Sequence, residues 1–258
     1  MSEVATSRTH LVLIPSYNAG DQALQTVQAA LAQWQPVWVV IDGSTDGSGA
    51  ALERLAISEP GLRVFVLAQN QGKGAAVLHG LEAARHAGFT HALTMDSDGQ
   101  HPADLIDNFM AESRRAPGAM ILGKPVFDTS APAIRVNGRK LSNGWVHLQT
   151  LGAGVGDSLF GFRVYPIAPL IEVMRNRPWM RRFDFDPEVV VRLCWAGVTP
   201  INIDAPVKYL SASEGGVSHF KYGRDNVLLT WMHARLLASF AGRLPRLLYR
   251  KFARRHAA

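Results

Sequence analysis

Two rhythms of apolar residues alternate along the first 115 positions. "THLVLIPS" (9–16) is a short continuous apolar run closed by Pro15, and "DQALQTVQAALAQ" (21–33) follows with helical spacing behind an Asp start signal. The pairing returns as "PVWVVID" (36–42) before "SGAALERLA", "LRVFVLA" (62–68) before "GKGAAVLHGLEAARHAG" (72–88), and "THALTMD" (90–96) before "PADLIDNFMAESRR" (102–115). Continuous apolar runs predict strands buried on both faces. Strand–helix units in series predict an α/β fold, a mostly parallel sheet flanked by helices. Ligands of such sheets gather beyond the carboxyl ends of the strands. The loops "PSYNAG", "DGSTDG", "NQGKG" and "DSDGQHP" are therefore the places to look for chemistry.

Past residue 117 the alternation loosens. "GAMILG" and "FGFRVYP" read as strands, with "RVNGRKLSNGWVHLQTLGAG" between them as a helix interrupted by small residues. "DPEVVVRLCWAG" (186–197) has Pro near its start and Gly after its end, as helices do, and the strand-like "VTPINIDAPVKYL" comes next. The final stretch sets Leu244, Leu247, Leu248 and Phe252 on one helical stripe among arginines. Two readings stay open there: a helix lying on a membrane surface, and a helix packed on the domain with a solvated basic face. The chain is accordingly divided into a domain over 1–220 and a basic amphipathic helical segment over 221–258.

Charge sharpens that division. Of a total of +6, residues 219–258 carry nine Lys or Arg against the single acid Asp225, a local +8 that leaves −2 for the rest. Basicity thus belongs to the last segment and suits an anionic membrane surface; nucleic acid is not expected, because no binding motif accompanies it. A chain of 258 residues with 47% hydrophobic content can bury a sizeable core. No run reaches the ~18 uncharged apolar residues of a membrane span. "MSEVATSRTH" lacks the basic and apolar regions of a signal peptide, so the expected location is cytoplasmic, peripheral on the cytosolic face of a membrane. The lone Cys194 falls in a helical pattern and reads as core packing.

Candidate chemistry starts with "DSDGQHP". Strand geometry would send Asp96 and Asp98 to one side, where two carboxylates repel unless a cation joins them. Hard oxygen ligands at that spacing suit Mg²⁺ or Mn²⁺ carrying phosphate oxygens, and Gln100 can add a carbonyl. The alternative is a pair of loop acids capping the next helix. Asp42 in "DGSTDGS" is placed to accept hydrogen bonds from a base or ribose, or belongs to a plain Asp-Gly turn. Lys73 lies between glycines at a helix start, an arrangement suited to anions although it lacks P-loop spacing. Asp184, Asp186 and Glu188 in "FDFDPE" are candidates for a general base, or first-turn acids.

Taken together, "LIPSYNAG", "VVIDGSTDGS", "NQGKGAAVLHGLEAARHAG" and "TMDSDGQHP", in this order, resemble the family 2 glycosyltransferases of the GT-A fold. The similarity is to the dolichyl- or polyprenyl-phosphate sugar transferases in particular. It implies a nucleotide-sugar donor, a divalent metal, inversion at the anomeric carbon, and a lipid-linked or other membrane-associated acceptor. It further implies that Pro15, Tyr17 and Asp42 contact the nucleotide, with Asp42 facing the base, that Lys73 and Ser97 bind on the donor side, and that Asp96 touches ribose or sugar. Asp98 with Gln100 would hold the metal, and Asp157 would lie near the acceptor. The chain departs from the pattern at Ile41, Ala19, Ser213 and His219; Ile41 leaves Asp42, the acid expected to face the base, while Ser213 and His219 bear on how the diphosphate is clamped, with Lys124, Arg139 and Arg163 as candidate replacements. Two other classes remain: a haloacid-dehalogenase-like phosphatase, whose nucleophile loop also reads Asp-x-Asp-Gly, and a non-catalytic nucleotide-binding protein of the membrane surface.

Overall fold

The computed structural model describes residues 6–127, 133–175, 177, 179–207 and 222–255, and only the backbone of residues 133–136, 222, 254 and 255. The first four strands are β1 (His10–Ser16), β2 (Val37–Asp42), β3 (Leu62–Leu67) and β4 (His91–Thr94). Helices α1 (Gly20–Leu31), α2 (Ser48–Ser58), α3 (Lys73–His86) and α4 (Ile106–Arg115) follow them in turn, the last after a 3₁₀ turn at Ala103–Leu105. The chain continues through β5 (Ala119–Val126), α5 (Ala133–Gln149), β6 (Arg163–Pro166), α6 (Ile167–Arg175), α7 (Phe185–Ala196), β7 (Thr199–Pro206) and α8 (Tyr222–Arg255). The strands form one seven-stranded sheet in the order β3-β2-β1-β4-β6-β5-β7.

Side-chain alternation along the central strands separates two cores. Val12 and Ile14 of β1 pack under α1 and α4 with Ala23, Val27 and Phe109, while Leu11 and Leu13 face α3, α6 and α7 with Val77, Leu81, Leu170 and Val189. With both faces covered, the runs need no polar alternation, which is why they read as continuous apolar stretches. Each fully buried aliphatic side chain contributes about 1.5–3 kcal/mol.

The sheet differs from the expected one in the middle. β6 runs antiparallel to both β4 and β5, and β5 then pairs in parallel with β7. The reversal inserts residues 160–163 between the ends of β4 and β5. Helix α6 has no counterpart in the sequence expectations: Pro169 looks like a breaker, but it falls in the first turn, where its missing N–H is harmless. Its Ile167, Leu170, Ile171 and Met174 recur at helical spacing and are buried. β4 ends at Thr94, so Asp96 and Asp98 stand in the loop beyond it and their convergence is a property of a turn, not of strand pleating.

Helix α8 packs along its length on the domain. Met232 and Leu236 share a small core with Val146 of α5 and with Val191 and Trp195 of α7. Arg250 and Lys251 donate to the carbonyls of Trp195 and Leu151 at 2.7 and 2.6 Å. The expected stripe of four divides, since Leu244 and Leu247 are half-buried while Leu248 and Phe252 are exposed. Ser213, His219 and the boundary at residue 220 lie outside the described residues.

Candidate active site

The loops beyond β1 and β2 are stitched together by polar contacts. Asn18 accepts from the Thr45 amide at 2.8 Å and donates its own amide to Ser44 Oγ at 3.0 Å. Asp46 accepts from the amides of Gly20 (2.8 Å) and Ser48 (3.1 Å) and from the Ser48 hydroxyl. Burial works to raise the Asp46 pKa, but these donors outweigh it and hold the carboxyl below its usual range. Tyr17 stands half-exposed beside this seam, and Pro15 is buried at the end of β1 opposite Val40. Asp46 was not singled out from sequence; the signal was Asp two residues before Ser at the start of a helix.

Asp42, buried at the end of β2, spends both carboxylate oxygens on the next loop. It accepts from the Gln71 and Gly72 amides at 2.8 and 2.7 Å. A carboxylate oxygen has a second lone pair, so these bonds fix the orientation of Asp42 without using all of its acceptor capacity. The following turn is closed by backbone. Gly74 donates its amide to the Arg181 carbonyl at 3.0 Å, and Cβ atoms at Gly72 and Gly74 would run into the carbonyls of Arg181 and Met180. Only glycine permits that approach. The turn therefore differs from the open anion cradle expected of it.

The seam between residues 72–74 and 180–182 delivers Asp186, in the first turn of α7, to Lys73. Lys73 Nζ lies 2.6 Å from Asp96 Oδ1 and 2.7 Å from Asp186 Oδ2. Burial disfavours the Lys73 charge, but Asp186 and Asp96 overcome it and hold its pKa well above the usual value. Burial likewise works against the Asp96 charge, while Lys73, His101 and Arg163 reverse the sign and lower its pKa. His101, packed between Phe160 and Phe162, accepts the Asp96 amide on Nδ1 at 3.0 Å and places Nε2 3.7 Å from Asp96 Oδ2. Burial keeps this imidazole neutral, with a pKa lowered to about 4. His101 thus holds Asp96 through its backbone amide. Gly161 completes the nest: a Cβ there would stand 2.7 Å from Lys73 Nζ and 3.0 Å from an Asp96 oxygen.

Asp98 is treated differently by its surroundings. It accepts the Gln100 amide at 3.1 Å, and no Lys or Arg forms an ion pair with it among the described residues. Burial, and then repulsion from Asp96, push its pKa up to about 6. Ser97 between them is buried, its carbonyl accepting from Thr26 Oγ1 at 3.4 Å. Three further polar atoms at this end of the sheet, Ser16 Oγ, Arg163 Nε and Asp186 Oδ1, are buried without a hydrogen-bond partner among the described residues. Such groups mark where a ligand or water completes a site.

The other acids of the second half face inward. Asp157 accepts from Arg139 Nη1 (2.8 Å), Asn143 Nδ2 (3.1 Å) and the amides of Leu159 (2.9 Å) and Phe160 (2.7 Å), tying α5 to the loop that carries Gly161. Asp184 accepts the amides of Met180 and Arg182. Glu188 is fully buried between Arg192 (2.6 Å) and Arg235 (3.1 Å), facing α8. Of the three candidate bases, Asp186 alone reaches the Lys73–Asp96 cluster. The candidate diphosphate cations are likewise engaged elsewhere: Lys124 pairs with Asp204 at 3.4 Å, and Arg139 with Asp157. Arg163, completely buried, donates to the Tyr165 hydroxyl and to the carbonyls of Asp186 and Asp157. Its function is to fix the start of α7, a role signalled only by a lone cation within an apolar strand.

Comparison with known proteins places this geometry. The chain is 31% identical over 175 residues to the polyprenol monophosphomannose synthase of Mycolicibacterium smegmatis, a match covering 62% of each chain. It thus spans less than two thirds of that relative's length. It is 24% identical over 217 residues to the undecaprenyl-phosphate mannosyltransferase of Micrococcus luteus, covering 80% of this chain and 85% of the relative. Among solved structures, glucosyl-3-phosphoglycerate synthase from Mycobacterium tuberculosis, in complex with Mn²⁺, UDP-glucose and phosphoglyceric acid, superposes with a TM-score of 0.60 at 18% identity, covering 92% of this chain and 80% of that one. Mannosyl-3-phosphoglycerate synthase from Rubrobacter xylanophilus gives 0.61 at 16% identity, covering 92% and 75%. These structures share the GT-A fold. The profile described as Glycosyl transferase family 2 matches residues 11–164, more than half of the sequence, and the chain belongs to that family.

Proposed function

We propose that the protein transfers a sugar from a UDP- or GDP-sugar to a lipid phosphate, inverting the anomeric carbon, with Mg²⁺ or Mn²⁺ held by Asp98 and Gln100. The observation that carries this reading is the unequal treatment of the two loop acids, Asp96 being paired with Lys73 at 2.6 Å while Asp98, half-buried, forms no ion pair with a Lys or Arg among the described residues. The donor set considered for the ion is small, the Asp98 carboxylate with the Gln100 carbonyl beside it in the same turn. Mg²⁺ and its like are commonly held by one or two carboxylates plus substrate phosphates. Bound there, the metal would stabilise negative charge on the departing nucleoside diphosphate.

The chain's own groups divide the remaining tasks. Pro15, Tyr17 and Asp42 receive the nucleotide, Asp42 toward the base, and Ser97 lines the donor side. Lys73 keeps Asp96 ionised and aimed at ribose or sugar. Asp157 acts on the acceptor side by holding the loop at Leu159 and Phe160. A lipid phosphate is anionic at neutral pH, so its oxygen attacks the anomeric carbon as the bond to the diphosphate breaks, with no proton to remove. Asp186, with Oδ1 unengaged among the described residues, is placed to accept a proton from a hydroxyl acceptor instead. The relatives named for polyprenol and undecaprenyl phosphates support the lipid-phosphate acceptor. Contact with an anionic membrane surface is assigned to the C-terminal helix.

Calorimetric titration of UDP, GDP and their sugar conjugates with and without Mn²⁺, followed by transfer to polyprenyl phosphate, tests the proposal. Metal-dependent binding of one donor and a phosphodiester-linked lipid product are expected. Metal-independent binding, or a covalent aspartyl phosphate, would overturn it.

A further inference from the structure

Helix α8 has a second face. Its inward side is buried on α5 and α7, but Val227, Trp231, Ala234, Ala238, Ala241, Pro245, Leu248, Tyr249 and Phe252 are all exposed. An advance of about 100° per residue brings these positions onto one stripe. Val227, Trp231, Tyr249 and Phe252 are between 53% and 75% exposed, values at which a large apolar side chain ordinarily has a partner. No charged residue falls within the stripe, whose ends are about 38 Å apart at ~1.5 Å per residue. Beside it, α5 exposes Leu141, Trp145 and Leu148, a second run at helical spacing. The Trp145 ring lies 6.4 Å from that of the buried His233 on α8, so the exposed run of α5 borders the contact between the two helices.

Charge selects what covers them. The sequence of α5 contains no acid, and the only acid of α8, Asp225, is completely buried. Lys140, Arg224, Arg243 and Arg246 are exposed around the apolar stripes. An apolar face with aromatic residues toward both ends and a cationic rim without carboxylates complements an anionic lipid surface. No helix among the described residues is long and apolar enough to cross a membrane.

We infer that the outward stripe of α8 and the adjoining face of α5 form one plate that lies in the interface of an anionic bilayer. This rests on the reading that the acceptor is lipid-borne, and it moves the anchor from the C-terminal residues to the whole of α8 and part of α5. The inner face of α5 holds Asp157, so the plate and the acceptor side of the site share one helix.

Flotation of the full chain with phosphatidylcholine vesicles, with and without phosphatidylglycerol, tests the plate. Wild type should float with the anionic vesicles and much less with the neutral ones. Trp145→Ser, Trp231→Ser and Tyr249→Ser together should weaken partition at least tenfold, with the circular dichroism melt and lipid-free, Mn²⁺-dependent nucleotide binding unchanged. Trp145→Phe with Trp231→Phe should keep flotation and lose the extra tryptophan quenching by brominated acyl chains. Unchanged partition of the triple variant would overturn the inference. So would a dimer in sedimentation that the triple variant converts to monomer, because a second copy would then own the face. Wild type that floats but binds no nucleotide-sugar leaves the plate standing and removes the proposed activity; binding of the donor without flotation does the reverse.

Discussion

Asp186 and Glu188 lie two residues apart on α7 and belong to charge clusters with opposite accounting. Around Asp186, Lys73 serves two carboxylates, one carboxylate oxygen is without a hydrogen bond among the described residues, and Asp98 in the same loop as Asp96 forms no ion pair with a Lys or Arg among them. Around Glu188, two arginines meet Glu188 and the more distant Asp184, at 3.8 Å from Arg235, behind the sheet. The first cluster is short of positive charge and lies at the strand ends; the second is balanced in charge, with Arg235 Nε its one atom unbonded among the described residues. A deficit of charge that the fold tolerates is a place for a ligand, while a balanced buried network holds elements together.

Four measurements can break or sharpen that contrast. Asp98→Ala should lower transfer activity by about 10³-fold, the loss of several kcal/mol of metal-assisted stabilisation. The same variant should unfold in urea no earlier than wild type in metal-free buffer, because it removes an uncompensated charge. Glu188→Ala should do the opposite, costing roughly 3 kcal/mol in urea unfolding by leaving Arg192 and Arg235 buried without their carboxylate. Lys73→Met should reduce activity on the order of 10²-fold by freeing Asp96 and Asp186 to repel each other, and it should weaken donor binding in the same titration.

The smallest effect concerns acid. His10, stacked 4.4 Å from His91 and bonded to Ser113, and His233, bonded to Ser142 and Gln149, both have pKa values lowered to about 4, chiefly by burial. Between about 6.5 and about 4 the unfolded chain binds more protons than the folded one. Their contribution is therefore complete above about pH 6.5 and lost as pH falls through about 4. Urea midpoints at pH 7 and pH 5 should show the decline, and His10→Asn should reduce its slope.

The first four strand–helix units were legible because residues buried on both faces leave an unmistakable run of apolar letters. The orientation of β6 was not, since a four-residue strand reads the same in either direction and its pairing is decided by β4 and β5. α6 was hidden by Pro169. In the site, the two-residue spacing of Asp96 and Asp98 was visible as a motif, but the Lys73–Asp186 contact joins positions 113 residues apart and leaves no local trace. Periodicity defined the faces of α8; which one docks was settled by Val146, Val191 and Trp195.

In the seam of Gly72 and Gly74 against Met180 and Arg181 the nearest atoms facing each glycine are backbone carbonyls. A well-packed contact of that kind passes displacement on instead of absorbing it. Asp42 grips one side of the seam through the Gly72 amide, and Asp186 begins a few residues beyond the other. The two carboxylates, 144 positions apart in sequence, are thus joined through a contact of backbone against backbone, so a shift of one loop cannot leave the other where it was.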